Sequence, residues 1–180
     1  MLRRAMLLAL LIVSIGSFAQ IRLERRGNEA RNTVQSYCRL DYDGARLTKD
    51  GWTRLRPLSM WKQNPDWQGF TVVSQYEIIA AEQGLRGATV AVKYPVLGSF
   101  IVGEGYTSEP ATEVTTFRLK ETDDAWRIDS IEPNMRPHVS KLRALTWLKG
   151  AASSEQDPGR NAALQQAIKA LGENTSTDSH

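Results

Sequence analysis

Residues 114–133 read VTTFRLKETDDAWRIDSIEP, and this stretch decides the fold class. Both of its ends are rich in β-branched and aromatic residues, which favour strands. The polar segment ETDD at 121–124 separates them and is typical of a turn. The stretch therefore predicts a β-hairpin.

Two more strands are predicted upstream of this hairpin. Side chains alternate with a period of two from residue 70 to residue 79, and again from 89 to 96. Because strand follows strand with no helix between them, we expect an antiparallel sheet. Three glycines then follow, and we interpret them as bends of the sheet, since a phosphate-binding loop would lie between a strand and a helix. They are Gly98, Gly103 and Gly105.

Helical patterns flank the predicted sheet. Apolar residues recur at helical spacing between residues 30 and 47, and Thr48 is expected to cap a short second helix. Two amphipathic segments after Pro137 predict a helical extension, the first with an apolar face formed by Val139, Leu142, Leu145 and Leu148. The predicted fold is α+β, with N-terminal helices packed on a curved antiparallel sheet of about four strands and a C-terminal helical extension.

The first nineteen residues predict a secretory signal peptide. Arg3 and Arg4 precede an apolar run, and the segment Ser17-Phe18-Ala19 supplies the small residues of a cleavage site. An uncleaved anchor is the alternative, because Arg22 and two further arginines follow the apolar run and resist translocation. The protein is therefore expected in the periplasm or secreted, or else held on the outer side of a membrane through this segment alone.

The predicted organisation has four parts. They are the signal peptide or anchor at 1–19, an α+β domain at 28–137, a helical extension at 138–171 and a disordered polar tail at 172–180. No internal repeat is visible in the sequence.

The charge balance argues against nucleic acid as a partner. The 180-residue chain has a formal net charge of +3. Without Arg3 and Arg4 of the leader, the chain has 21 basic and 20 acidic side chains. These charges are interspersed along the chain, whereas binding to a phosphate backbone needs a concentrated basic face.

Cysteine and histidine usage predicts neither a disulfide nor a metal site. Cys38 is the only cysteine, and its place in an apolar stripe predicts an inert, buried thiol. His138 and His180 lie far apart and have no ligand-spaced carboxylates or thiols around them. We therefore expect no metal and no other cofactor.

The order of the elements resembles that of a known superfamily. A helix, a short helix and a sheet ending in the 114–133 hairpin make residues 30–133 similar to the nuclear transport factor two-like superfamily. Trp126, Ile128 and Ile131 look like part of its usual last two strands. The resemblance implies a bent sheet wrapped around the N-terminal helix, with a cone-shaped cavity between them. Because the superfamily includes both enzymes and simple binding domains, it implies no particular chemistry.

We expect a small-molecule site in that cavity. Tyr37 and Asp41 of the first helix would lie near Tyr76 and Tyr94 of the sheet, which places a few polar groups in an otherwise apolar chamber. The alternative is that the tyrosines are core residues and that Asp41 anchors an arginine, with Arg46, Arg54 and Arg118 as the candidates.

Two tryptophans are expected at the mouth of the cavity. Trp52 and Trp61 flank the short helix that would cover it, where they can stack on a flat ligand. The alternative is that both simply fill a small core, because an indole buries a large area.

Three functions fit these observations. The first is an exported, non-catalytic domain that binds a small apolar or amphipathic ligand, or a protein partner. The second is a cofactor-independent lyase, isomerase or hydrolase in which Asp41 acts as an acid or base together with Tyr76 or Tyr94. The third is a structural envelope component that forms a homodimer through its sheet. The sequence favours binding over catalysis, and it names neither a ligand nor a reaction.

Overall fold

The computed structural model describes residues 28–84, 86–122, 125–133 and 135–173. The predicted signal peptide at 1–19 and residues 174–180 of the predicted tail lie outside the described residues, as does part of the turn at 121–124. The predicted tail begins inside a helix, since residues 172 and 173 are helical.

Helices lie at both ends of the described chain and strands between them. The helices are α1 at residues 28–42, α2 at Lys49–Leu55, α3 at Lys141–Ser154 and α4 at Pro158–Glu173. Short 3-10 turns at Ala45–Leu47 and Arg56–Leu58 flank α2. The strands are β1 at Gly69–Val73, β2 at Glu77–Gln83, β3 at Ala88–Ile101, β4 at Gly105–Thr107, β5 at Ala111–Thr122, β6 at Ala125–Glu132 and β7 at His138–Ser140.

The strands of the described chain form one open sheet of seven strands in the order β6-β5-β3-β1-β7, with β2 and β4 also paired to β3. The predicted α+β class and the β5–β6 hairpin are confirmed. The sheet is larger than the expected four strands and it is mixed, because β7 runs parallel to β1. The single run expected at 70–79 is divided between β1 and β2, and both pair with β3. The strands β4 and β7 have three residues each, too few to leave a periodic pattern.

An extra residue in β3 reverses the direction of its side chains. Val73 pairs with Val96, whereas the preceding Val72 pairs with Gly98, so Leu97 has no partner on β1. Because neighbouring side chains of a strand point to opposite faces, this bulge moves the even-numbered residues of β3 from one face to the other.

The sheet consequently has an apolar core on each face. The first core joins α1 and the α2 region to the sheet, and β3 contributes Val90, Val92 and Tyr94 to it. The second core lies under α3 and α4, and β3 contributes Phe100 to it. Every residue of β1 is buried because this strand has a core on both sides.

The C-terminal helices pack on the second core with a face that was only partly predicted. Leu148 is buried as expected, but Leu142 is 70% exposed and Val139 belongs to β7 rather than to a helix. The buried face of α3 uses the small residues Ala144 and Ala152 on either side of Leu148. The predicted stripe was therefore wrong at Leu142. Alanines form much of the buried face instead, and they carry a weak hydrophobic signal in the sequence although they allow the helix to lie close to the sheet.

The bend at Gly98 supplies a first prediction. A β-carbon at this position would lie 2.3 Å from the Thr107 carbonyl oxygen and 2.6 Å from the Tyr106 hydroxyl. Gly98→Ala is therefore expected to lower the free energy of unfolding by about 1–3 kcal/mol, measured by urea denaturation. The control is Gly150→Ala in α3, where nothing lies within 4 Å and a gain of about 0.5–1 kcal/mol is expected from helix propensity. Equal stability of wild type and Gly98→Ala would contradict the proposed crowding.

Candidate functional site

Three of the predicted site residues lie together in the interior. Tyr37 and Asp41, one turn apart on α1, and Tyr94 on β3 are each at most 2% exposed. Tyr37 makes edge contacts with Trp61 at 6.2 Å and Phe117 at 5.5 Å between ring centroids. The structure therefore brings these three side chains together, and it places them in a packed core.

Arg46 is the largest of the fully buried side chains, and it lies at the centre of the polar cluster. Its Nη1 donates to the Tyr37 hydroxyl at 3.4 Å and to the Met135 carbonyl at 2.5 Å. Its Nε donates to Asn64 Oδ1, and the Asn64 amide donates back to the Arg46 carbonyl. The alternative expectation is that Asp41 anchors an arginine. Arg46 lies near enough to Asp41 to interact with it electrostatically, whereas Arg118 pairs with exposed Glu132.

A second group of contacts connects the cluster to β7. The backbone amide of His138 donates to Asp41 Oδ2 at 2.9 Å. The His138 ring stacks on the Tyr94 ring with centroids 4.0 Å apart. Its Nε2 lies 3.3 Å from Glu113 Oε1, without the alignment of a hydrogen bond. The Tyr94 hydroxyl in turn forms a 3.1 Å hydrogen bond with Cys38 Sγ.

Burial dominates the electrostatics of this cluster. It raises the pKa of Asp41, and the nearby Arg46 charge and the His138 amide lower that pKa only in part. Burial also raises the pKa of Tyr37 and places the pKa of Tyr94 well above its usual value. The pKa of Cys38 rises to about 12 for the same reason. The thiol is buried as predicted, its raised pKa disfavours the reactive thiolate, and neither tyrosine ionises near neutral pH.

The remaining predicted residues lie at the border of the first core. Trp52, Trp61 and Tyr76 are half-buried and pack against it. Trp61 also donates from its indole nitrogen to the Asp129 carbonyl at 3.2 Å. Tyr76 makes an edge contact with Tyr42 at 6.0 Å. The structure thus brings Trp61 to the polar cluster, and it leaves Trp52 and Tyr76 at the periphery.

The segment 59–64 closes this end of the core. Ser59 forms a β-bridge with Ile128, and the Met60 amide donates to the Ile128 carbonyl at 2.9 Å. Together with the Asn64 contacts to Arg46, these bonds fix the segment along the outer edge of β6. The interior polar cluster is therefore covered by hydrogen-bonded backbone.

An open groove between the α2 region and α3 was not predicted. We call it the α2–α3 groove; its volume is about 730 Å³. Its lining residues are Asp43, Gly44, Ala45, Leu47, Thr48, Arg54, Arg143, Thr146, Trp147, Gly150, Ala151 and Ser154. Arg54 and Arg143 are both exposed, and among the described residues neither guanidinium makes an ion pair.

A second groove of about 570 Å³ begins on the same helix, between α3, the start of α4 and the β3–β4 hairpin. We call it the hairpin groove. Phe100, Val102, Ala163 and Leu164 give it an apolar lining, and Val102 is 59% exposed. The two grooves share Trp147, Ala151 and Ser154, which lie along one face of α3.

Sequence patterns held little signal for these groups. Arg46 is flanked by Ala45 and Leu47 and reads as an ordinary charged residue at a helix end. Only the position of Asp41 on an apolar stripe indicated that a buried partner was needed. The groove arginines, Arg54 and Arg143, come from segments almost ninety positions apart and share no motif.

No protein-family model, curated protein or solved structure matches this chain. Among the described residues, no helix is long and apolar enough to cross a membrane. Within the same part of the chain, no three His, Cys, Asp or Glu side chains are grouped in a way that could hold a metal ion.

The raised pKa of Asp41 gives a pH-dependent prediction. An unfolded aspartate loses its proton near pH 4, whereas the folded protein retains this proton to higher pH. Stability from this group is therefore complete below about pH 4 and declines as the pH rises through the raised pKa. Asp41→Asn should remove that decline, so the variant gains stability relative to wild type from pH 4 towards neutral, measured by urea denaturation at each pH.

Asp50→Asn is the matched control for this measurement. Asp50 lies exposed in the first turn of α2, and its replacement should preserve the wild-type pH profile. A stability difference between Asp41→Asn and wild type that is constant with pH would refute the raised pKa.

Proposed function

We propose that this chain is an exported, non-catalytic domain that binds a small amphipathic ligand with an acidic headgroup in the α2–α3 groove. One observation carries this proposal. Two exposed arginines without ion-pair partners among the described residues flank a groove that Leu47 and Trp147 line with apolar surface. Small-molecule sites commonly combine an apolar lining with a few polar groups that fix the orientation of the ligand.

The arginines determine the class of headgroup. A guanidinium binds a carboxylate or phosphate through charge-assisted hydrogen bonds, which are stronger than neutral ones. Asp43 also lines the groove, so the three charged side chains leave one net positive charge. A singly charged acid fits this balance better than a polyanion.

The hairpin groove supplies a place for the apolar part of the ligand. It lies next to the α2–α3 groove along the shared α3 face, and its lining is richer in apolar side chains. An unbranched chain attached to an acid bound near Arg143 can pass Trp147 towards Phe100 and Leu164. Burial of each methylene would contribute about 0.8 kcal/mol.

The interior cluster supports a structural role better than a catalytic one. Asp41, Tyr37 and Tyr94 are almost completely buried, and each has a hydrogen bond inside the protein. A general acid or base has to reach its substrate within hydrogen-bond distance. The lyase, isomerase or hydrolase alternative would therefore need the covering segment 59–64 to open.

Dimerisation through the sheet has weaker support. The face of the sheet that carries Glu77 and Lys93 also bears a second cross-strand ion pair, between Lys120 and Asp129, and a third between Arg118 and Glu132. Charged residues are depleted at the centre of stable interfaces, which favours a solvated surface here. We propose export from the leader at 1–19, and membership of the nuclear transport factor two-like superfamily from the order of α1, α2 and the strands of the sheet.

Decanoate and decanol test the headgroup and its arginines. Decanoate should bind measurably in isothermal titration calorimetry, and decanol should bind at least about tenfold more weakly, because it cannot accept charge-assisted hydrogen bonds. Arg143→Gln should weaken decanoate binding by about tenfold, which is the loss of about 1.4 kcal/mol, and Asp43→Asn should strengthen it.

The matched control is Arg127→Gln, which removes an exposed arginine from β6. It should leave the affinity for decanoate unchanged. The proposal fails if decanol binds as tightly as decanoate, or if Arg127→Gln and Arg143→Gln have equal effects.

A further inference from the structure

The interior cluster is a closed circuit of three chain segments. Tyr37 and Asp41 are neighbours on α1, Arg46 bonds to Tyr37 and to the Met135 carbonyl, and His138 bonds back to Asp41. Residues 135 and 138 belong to the same short segment that leads into β7. The circuit thus holds residues 135–138, which lead into the C-terminal part of the chain, against α1.

Two atoms of this circuit have no hydrogen-bond partner within the described protein. They are Asp41 Oδ1, a carboxylate acceptor, and Arg46 Nη2, a guanidinium donor. Both residues are almost completely buried, at 2% and 1% exposure. An unsatisfied acceptor and an unsatisfied donor, on side chains of opposite charge, therefore occur in the same buried cluster.

These two groups do not satisfy one another directly. In the described chain, no nitrogen of Arg46 lies within 4.0 Å of an Asp41 carboxylate oxygen. Arg46 is held in its position by Met135, Tyr37 and Asn64. The other oxygen of Asp41 is held by the backbone of β7. Each group is thus held by other hydrogen bonds and not by a direct pair.

We propose that the Asp41–Arg46 cluster is a binding site for one buried water molecule, which donates to Asp41 Oδ1 and accepts from Arg46 Nη2. A buried charge with an unsatisfied hydrogen-bonding atom is strongly unfavourable, and buried waters in proteins typically satisfy such groups. The ligand has to supply one donor, for Asp41 Oδ1, and one acceptor, for Arg46 Nη2. Water is the smallest molecule that does so.

The bound water has a structural consequence for the neighbouring segments. It completes the connection between α1 and residues 135–138, and α3 begins directly after β7. The position of α3 relative to the α2 region is therefore coupled to the water site. This inference is independent of the ligand proposed for the groove.

A high-resolution crystal structure of the wild-type protein tests the site directly. Solvent density is expected about 2.7–3.2 Å from both Asp41 Oδ1 and Arg46 Nη2. A direct bond between Asp41 and Arg46, or a cluster without solvent density, would overturn the proposal.

Magnetic relaxation dispersion of water in solution gives a second test. The double variant Asp41→Leu with Arg46→Met removes both charges together, because a single replacement leaves an uncompensated buried charge. Its dispersion amplitude should correspond to one long-lived water fewer than in wild type. The control, Arg118→Gln with Glu132→Gln, removes an exposed ion pair and should leave the amplitude unchanged.

The crystal structure and the relaxation measurement together test the proposed water site. An unchanged dispersion amplitude in the folded double variant contradicts the proposal. If the double variant does not fold, the density in the wild-type crystal decides alone.

Discussion

The unpaired Leu97 of β3 is the constraint on which the two-sided architecture depends. In a regular strand, Tyr94 and Phe100 would point to the same face. The bulge separates them, so one 14-residue strand contributes to the core under α1 and to the core under α3 and α4. Gly98 follows at once, where the close approach of Thr107 leaves no room for a side chain. Without this reversal, Phe100 would point to the core under α1 and be lost to the core under α3 and α4.

The buried polar cluster adds a second, more specific constraint. Apolar packing alone tolerates small shifts, whereas Arg46 can satisfy Met135, Tyr37 and Asn64 only in one arrangement. These contacts join residues that are distant in sequence. The cluster therefore fixes how α1, the segment 59–64 and β7 meet, and through β7 it fixes where α3 begins.

Local patterns predicted what depends on neighbours in sequence. The β5–β6 hairpin and the Thr48 cap, whose side chain accepts from Gly51, are both confirmed. The parallel β7 was missed because three residues show no period, and its pairing with β1 joins residues more than sixty positions apart. The grooves were missed for a similar reason. Arg54 and Arg143 line one groove only once the chain has folded and α3 lies opposite the α2 region.

The edges of the sheet are protected in three different ways. Residues 59 and 60 bond to the outer side of β6, β7 has only three residues, and β2 carries an irregularity at Ile79 beside its pairing with β3. Long, flat, unpaired strands are templates on which other chains can polymerise. The irregular and covered edges described above leave little straight backbone from which amyloid-like growth could start.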